Sequence, residues 1–269
     1  MPDPYNPGAW LVCKDGADQS WIDPSNPARL EFDYMQRISW LIDEWASAEG
    51  YEPGQRLRVV HIGGAGMSLA RWLATTRPTS AQTVLEPDAA LTQAVREFAP
   101  LPRHSGIKVR PIDGRAGLAR MSSDHADVII LDAFDHAQVP ASLVSVEFMM
   151  EVRRVLADYG LLAINLVDGH PYSWVRQVVA TVASVFTSTC LLAEASALKA
   201  PRVTNLVVGA SPLTWQMEKL ARRCAGASFP CSLLVDDDLT RWVGGARLFT
   251  DANAQPSPPR GHGELTWYG

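Results

Sequence analysis

A short apolar run that ends in a cluster of glycines most constrains how this chain can fold. Residues 56–66 read Arg-Leu-Arg-Val-Val-His-Ile-Gly-Gly-Ala-Gly. Val59, Val60 and Ile62 are β-branched residues typical of a strand that is buried on both faces. The glycines allow a sharp turn and let backbone N–H groups approach a ligand. Residues 67–75 follow with apolar side chains at helical spacing, so the sequence predicts the strand–turn–helix unit that opens a doubly wound, nucleotide-binding sheet.

An acidic residue ends the next predicted strand. Residues 83–85 are apolar or β-branched, and Glu86 follows them, 20 positions after Gly66. A carboxylate at that place accepts hydrogen bonds from ribose hydroxyls. Leu69 stands where a dinucleotide fingerprint has its third glycine, so a tight turn without a ligand stays an alternative. Together, the loop and Glu86 favour an adenosine site.

Strand and helix patterns alternate through most of the chain, which predicts a Rossmann-like, doubly wound parallel sheet of the class I methyltransferase type. Further strands are expected at 107–112, 127–131 and 160–166, and an antiparallel edge pair at 189–193 and 202–208. Helices are expected at 31–48, 88–98, 115–121, 146–156, 174–185 and 213–224. The helix over 213–224 is predicted to be the last, and the acidic run 236–238 to cap a helix or form a solvated turn.

Three regions are predicted along the chain. Residues 1–50 are expected to form a small β-hairpin and a helix, with the hairpin turn at Asp15-Gly16. Residues 51–250 are expected to form the Rossmann-like nucleoside-binding domain. Residues 251–269 carry three prolines and are expected to form a loose tail.

Composition excludes several classes of function. The formal net charge of -5 and the absence of a basic stripe argue against a nucleic-acid partner. The 4 cysteines form no C-x-x-C pair and have no histidine cluster beside them, so no metal site is expected. The first residues lack a targeting pattern, and no stretch is apolar for long enough to span a membrane. A cytoplasmic protein without a membrane partner is therefore expected.

Several segments together resemble the spermidine synthase family of aminopropyltransferases, over roughly residues 9–210. Residues 30–38 (Leu-Glu-Phe-Asp-Tyr-Met-Gln-Arg-Ile) resemble the family's Asp-Glu-Phe-x-Tyr-x-Glu segment. Residues 85–88 (Leu-Glu-Pro-Asp) and 112–115 (Ile-Asp-Gly-Arg) resemble its next two strand ends. Residues 127–135 (Asp-Val-Ile-Ile-Leu-Asp-Ala-Phe-Asp) resemble its most specific motif, Asp-Val-Ile-x-x-Asp-Ser-x-Asp. Such proteins transfer aminopropyl from decarboxylated S-adenosylmethionine to putrescine and release methylthioadenosine.

The resemblance implies two groups of site residues. The catalytic group at the amine would be Asp132, Asp135 and Tyr34. The group that contacts the co-substrate would be Gln19, Gly63, Gly64, Gly66, Glu86, Asp113 and Gly114. In that group Glu86 would hold the ribose, and Asp113 with Gly114 would read the adenine amino group. The co-substrate would be decarboxylated S-adenosylmethionine or S-adenosylmethionine itself, the second substrate a small amine, and the assembly a homodimer.

The chain also departs from the family. The family's glycine loop carries an aspartate that holds the aminopropyl ammonium, whereas residues 63–68 read Gly-Gly-Ala-Gly-Met-Ser. The segment that covers the amine is missing after Leu191, and Gln36 replaces an acid. Two alternatives therefore stay open: an S-adenosylmethionine-dependent methyltransferase, and a non-catalytic binding or scaffold protein with the same fold.

Overall fold

The structure is a computed structural model, and it describes residues 1–14, 17–199, 202–227 and 230–259. Its strands are β1 (Trp10–Lys14), β2 (Ala17–Ile22), β3 (Arg58–Ile62), β4 (Ala81–Leu85), β5 (Ile107–Arg110), β6 (Ala126–Leu131), β7 (Leu156–Gly169), β8 (Ser188–Glu194), β9 (Val203–Ser211) and β10 (Cys231–Leu234). Its helices are α1 (Asp33–Ala48), α2 (Ser68–Thr76), α3 (Ala89–Phe98), α4 (Gly114–Leu118), α5 (Val146–Val155), α6 (Ser173–Ala183), α7 (Glu218–Ala225) and α8 (Asp236–Val243).

One mixed sheet organises the chain. Its strand order is β10-β8-β9-β7-β6-β3-β4-β5. The strands β7, β6, β3, β4 and β5 pair parallel to one another. The pairs β7–β9, β9–β8 and β8–β10 are antiparallel. The chain runs outward from β3 to β5 and then crosses back to β6, so the order reverses between β3 and β6. Ligands of such sheets bind beyond the carboxyl ends of the strands at that reversal.

Helices cover both faces of the sheet, which explains why its central strands are apolar on both sides. On one face, Val59, Val128 and Ile130 pack with residues of α1, α2 and α7. On the other, their strand neighbours, such as Val60 and Ile129, pack with residues of α4, α5, α6 and α8. The predicted Rossmann-like fold is confirmed by this arrangement.

Helix α1 illustrates how the sequence pattern fixes packing. Ile38, Leu41, Ile42 and Trp45 recur at helical spacing and are fully buried against the sheet. The indole Nε1 of Trp45 donates a hydrogen bond of 2.9 Å to the carbonyl of Tyr159. The helix is therefore anchored along its length, and its first turn lies at the ligand edge.

The predicted element list needs two corrections. The helix over 213–224 begins later, at Glu218, and it is not the last, because β10 and α8 follow. β10 has four residues and α8 opens with three aspartates, so neither gives a clear periodic signal. The predicted antiparallel pairing of β8 and β9 is confirmed, but the pair does not form the sheet edge, because β10 lies outside it.

The two chain ends fall partly outside the described residues. β1 and β2 pair antiparallel, whereas the predicted turn at Asp15-Gly16 lies outside the described part. Of the predicted tail, residues 260–269 lie outside it too. In the described part of the tail, the backbone N–H of Ser257 donates to the carbonyl of Val139, and Trp174 donates to the carbonyl of Gln255. Within the described residues, no helix is both long and apolar enough to cross a bilayer.

Candidate active site at the carboxyl edge of the sheet

The glycine loop after β3 lies directly against the end of β6. Gly63 has φ +90, and a Cβ added there would come within 2.2 Å of the carbonyl oxygen of Asp132. A Cβ added at Gly64 would lie 2.8 Å from Cγ1 of Val84. Only glycine therefore fits at these two positions, and the loop backbone forms one wall of the site.

Glu86 holds the glycine loop in place. Its Oε2 accepts hydrogen bonds from the backbone N–H of Gly64 at 2.9 Å and of Ala65 at 3.2 Å, and its Oε1 accepts from the N–H of Asp88 at 2.9 Å. The carboxylate thus joins the end of β4 to the loop. A carboxylate has about four acceptor sites, so Glu86 retains capacity for a ribose hydroxyl, and that role stays a prediction.

Asp132 is the centre of a hydrogen-bonded chain of side chains. The hydroxyl of Tyr34 lies 3.2 Å from Oδ2 of Asp132, and Nδ2 of Asn165 donates to Oδ1 at 2.8 Å. Oδ1 of Asn165 in turn accepts from Nδ2 of Asn205 at 2.9 Å. These hydrogen bonds connect α1, the end of β6, β7 and β9 in turn. These contacts fix the orientation of a half-buried carboxylate.

A cavity of about 530 Å³ opens at this edge. Among the predicted site residues, those that line it are Gln19, Tyr34, Gly63, Gly64 and Asp132. Those that do not line it, within the described residues, are Gly66, Glu86, Asp113, Gly114 and Asp135. The cavity thus reaches the loop and Asp132 but not Glu86 or Asp113, which follow β4 and β5.

Asp113 and Gly114 form the start of a short helix at the same edge. The carboxylate of Asp113 is exposed and accepts a hydrogen bond of 3.0 Å from the N–H of Ala116, which caps α4. Gly114 is buried against Ile62, where a Cβ would lie 2.2 Å from Cγ2 of that residue. Capping uses one face of the Asp113 carboxylate, so contact with an adenine stays a prediction.

Asp135 lies apart from the cavity. Its side chain is 78% exposed, and its carboxylate is 3.8 Å from Nε2 of His136. The backbone N–H and carbonyl of Asp135 exchange hydrogen bonds with those of Gln138. The structure does not bring Asp135 together with Asp132, and its catalytic role stays a prediction.

Three comparisons with known proteins bear on this site. A polyamine aminopropyltransferase of Neisseria meningitidis is 25% identical over 207 residues, which is 76% of this chain and 74% of that protein. A solved probable spermidine synthase of Corynebacterium glutamicum has a TM-score of 0.86 and 28% identity, with 93% of this chain and 91% of that one covered. Human methyltransferase-like protein 13, solved with SAH, has a TM-score of 0.55 and 17% identity over 81% and 93% of the chains, which shows the fold alone. No protein-family model matches the chain.

The chain is a divergent spermidine synthase-like protein. The similarity to the Corynebacterium structure extends over 93% of the chain.

Sequence reasoning missed several polar residues of this spermidine synthase-like site. Asn165 is 1% exposed and is the only polar residue between Leu161 and Val167, so a buried amide in an apolar strand was the available signal. Asn205, on the neighbouring strand β9, gave no comparable signal.

Charged residues were also missed. The cavity of the spermidine synthase-like chain is lined by four carboxylates, Asp18, Asp33, Asp132 and Glu194, and by two guanidinium groups, Arg37 and Arg202. Burial raises the pKa of Asp33, an effect that nearby Arg37 opposes. Glu194 forms an ion pair with Arg202, and Arg202 also donates to Ser196 at 2.9 Å.

His61 also lines the cavity of the spermidine synthase-like chain, but it is neutral. Burial lowers its pKa to about 4, an effect that a hydrogen bond to Gln82 opposes. Its Nε2 lies 2.9 Å from Oε1 of Gln82. The side chain is thus fixed by packing and by this hydrogen bond.

Proposed function

We propose that this protein binds decarboxylated S-adenosylmethionine and transfers its aminopropyl group to a small amine. The observation that carries the proposal is the carboxylate of Asp132, held by Tyr34 and Asn165 in a cavity that reaches the glycine loop. The names of two similar proteins, a polyamine aminopropyltransferase and a probable spermidine synthase, support the same reaction class.

The proposed reaction is a displacement at the carbon beside a sulfonium. The amine nitrogen donates its lone pair to that carbon, and the carbon–sulfur bond breaks with its electron pair remaining on sulfur. The leaving group, methylthioadenosine, is a neutral thioether, so it needs no general acid. The amine arrives protonated, and Asp132 would accept the proton that must leave before attack. General-base catalysis of this kind contributes about 10²–10⁴-fold, and orientation of the two substrates contributes further.

The co-substrate would occupy the loop side of the cavity. Gly63, Gly64 and Gly66 have no side chains, so the loop backbone would lie close to the nucleoside, and Gln19 would contact it from β2. Glu86 would hold the ribose hydroxyls, and Asp113 with Gly114 the adenine. Asp135 would act near the amine only if its loop turned inward. The same proposal includes a division of the chain into the regions 1–50, 51–250 and 251–269. It also includes a cytoplasmic location and a homodimer, and light scattering tests the dimer.

A second candidate is methyl transfer from S-adenosylmethionine. The observation that favours it is the glycine loop, whose residues 63–68 include no acid that would select an ammonium over a carboxylated group. In that case the adenosine contacts would be the same, and the methyl carbon would be attacked instead of the aminopropyl carbon.

Calorimetry with three nucleosides separates the candidates. The probes are S-adenosylmethionine, its decarboxylated form and methylthioadenosine. We expect the decarboxylated form to bind at least about tenfold more tightly than the carboxylated form, which is about 1.4 kcal/mol. The reverse preference would support methyl transfer, and no binding of any of the three would leave only a scaffold. Mass spectrometry of the product with an amine then shows which group moves.

A further inference from the structure

The cavity extends past Asp132 to a wall of charged side chains that the proposed reaction does not use. Arg37 is the most buried of them: it is 3% exposed, yet it lines the cavity. Within the described residues, its nearest carboxylate oxygen is Oδ2 of Asp33, 3.5 Å from Nη2, and its other partner is the thiol of Cys231. A guanidinium has five N–H donors, and a charge-assisted bond to a carboxylate is usually about 2.7–2.9 Å long.

The neighbouring acids do not satisfy this guanidinium. The pKa of Asp33 is raised by burial even though Arg37 opposes the shift, so the pair gives the Asp33 carboxylate limited support. Glu194 is engaged by Arg202 and by the hydroxyl of Ser196. Arg37 therefore presents a buried positive charge with N–H groups left to bind an anion, and a buried charge is costly unless it is paired.

The position of Arg37 indicates that the anion it binds is a group of the amine substrate. Arg37 follows Tyr34 by three residues on α1, and side chains at that spacing lie roughly 5–6 Å apart at Cβ. Tyr34 contacts Asp132, whereas Arg37 lies toward Glu194 at the end of β8. β8 is three strands from β6, which is roughly 14 Å at the usual strand spacing. The glycine loop follows β3, on the opposite side of β6.

We propose that the amine substrate also carries a carboxylate, and that this carboxylate binds Arg37 while the amine lies at Asp132. The proposal rests on the proposed function, because it assigns the second substrate of that reaction. A simple diamine would place its second ammonium beside the Arg37 guanidinium, where like charges repel. In the proposed step the amine nitrogen forms its bond to the aminopropyl carbon, the carbon–sulfur bond breaks onto sulfur, one proton leaves, and the carboxylate is unchanged.

Calorimetry with two matched amines tests the proposal. The probes are 5-aminopentanoate and 1,4-diaminobutane, whose amines are attached to the same chain of methylenes, each titrated with methylthioadenosine at saturation. We expect 5-aminopentanoate to bind at least about tenfold more tightly to the wild-type protein. Arg37→Gln should lower its affinity by about tenfold or more, with the affinity for methylthioadenosine unchanged.

Arg223→Gln is the matched control. Arg223 lies on α7, pairs with Asp43 and Glu44 of α1, and does not line the cavity, so both affinities should stay as in the wild type. The wild-type preference needs no variant, so it decides the question even if Arg37→Gln fails to fold.

Four results would overturn the proposal. In the wild type, they are equal or tighter binding of the diamine and no binding of either amine. In Arg37→Gln, they are an unchanged affinity for 5-aminopentanoate and a loss of affinity for methylthioadenosine alone. Product formation is measured separately with each amine. If neither amine is aminopropylated while 5-aminopentanoate still binds through Arg37, the proposed reaction fails and the carboxylate site stands.

Discussion

Replacing Asp132 by asparagine isolates the charge of the proposed base. Oδ1 of an asparagine can still accept from Nδ2 of Asn165, now 2.8 Å away, and the hydroxyl of Tyr34 can turn to accept from the new amide. Two hydrogen bonds to a charged group become neutral ones, which costs about 1 kcal/mol of folding free energy. In a chain of this size that lowers the Tm by roughly 2–4 °C. The fold and the cavity should therefore survive.

Activity should fall far more than stability. Asp132→Asn removes the group that accepts the amine proton, so kcat should fall by about 10²–10⁴-fold, or roughly 3–5 kcal/mol of transition-state stabilisation. The assay is chromatographic detection of methylthioadenosine released from decarboxylated S-adenosylmethionine with a saturating amine. Raising the pH should partly restore the rate, because more of the amine is then free of its proton.

Asp158→Asn is the control for this substitution. Asp158 is 89% exposed and pairs with Arg153 at the surface, so its loss should change neither kcat nor methylthioadenosine binding. A kcat for Asp132→Asn within about threefold of the wild type would refute the role of Asp132 as the base. Loss of methylthioadenosine binding would instead show that Asp132 holds the nucleoside.

Three further outcomes are expected. Gly63→Ala should lower the free energy of unfolding, measured in urea, by at least ~2 kcal/mol and abolish nucleoside binding, because the added Cβ meets the carbonyl of Asp132. Gly8→Ala is the control: Gly8 has φ +92 and open space around it, so this change should cost only the backbone strain. The pKa of His61 is lowered to about 4 in the folded protein, so on acidification the unfolded chain binds the proton first. Lowering the pH from about 7 to 4 should therefore reduce the free energy of unfolding by on the order of 3 kcal/mol. His61→Gln should weaken this pH dependence of stability. Asp135→Asn should lower kcat by less than about threefold, since its side chain is largely exposed, and a larger loss measured in the same release assay would restore its catalytic role.

The parallel core of the fold was readable from the sequence because its strands are continuous apolar runs. β3 and β6 are buried on both faces, and such runs leave little choice of structure. β10 was not readable, because it has four residues and owes its place to pairing with β8 rather than to its own pattern. Its partner on the sheet is distant in sequence, and periodicity carries no such information.

The sequence predicted the site in two ways. Asp132 was expected because it ends β6, and that strand end meets the glycine loop. Gln19 and Tyr34, which also line the cavity, end no strand and were implied by the family resemblance. Asp135 was expected beside Asp132 because the family resemblance implies that both carboxylates act at the amine. The backbone turns through positive φ at His136 and Ala137, and this turn carries Asp135 into solvent. A motif match in a loop therefore does not fix where the side chain lies.

Arg37 was not predicted, because the inward-facing positions of a helix usually pack in the core and the resemblance implied a role only for Tyr34 among them. Tyr34, Arg37, Ile38 and Leu41 all face inward on α1, but its first turn lies over the ligand edge and its middle over the sheet. The inward positions near the start of the helix thus line the cavity, while those further on pack in the core. Burial alone could not separate these two environments in the sequence.

The same helix makes the distance between the amine and the carboxylate sites a fixed property of the fold. Ile38, Leu41 and Trp45 are fully buried, so α1 cannot slide without opening the core. Tyr34 and Arg37 therefore keep their separation whatever the loops do, unlike a site built from two mobile segments. If Asp132 receives the amine and Arg37 the carboxylate, the protein selects its substrate by length as well as by charge. Too short a chain would leave one end unpaired, and too long a chain would have to fold back inside the cavity.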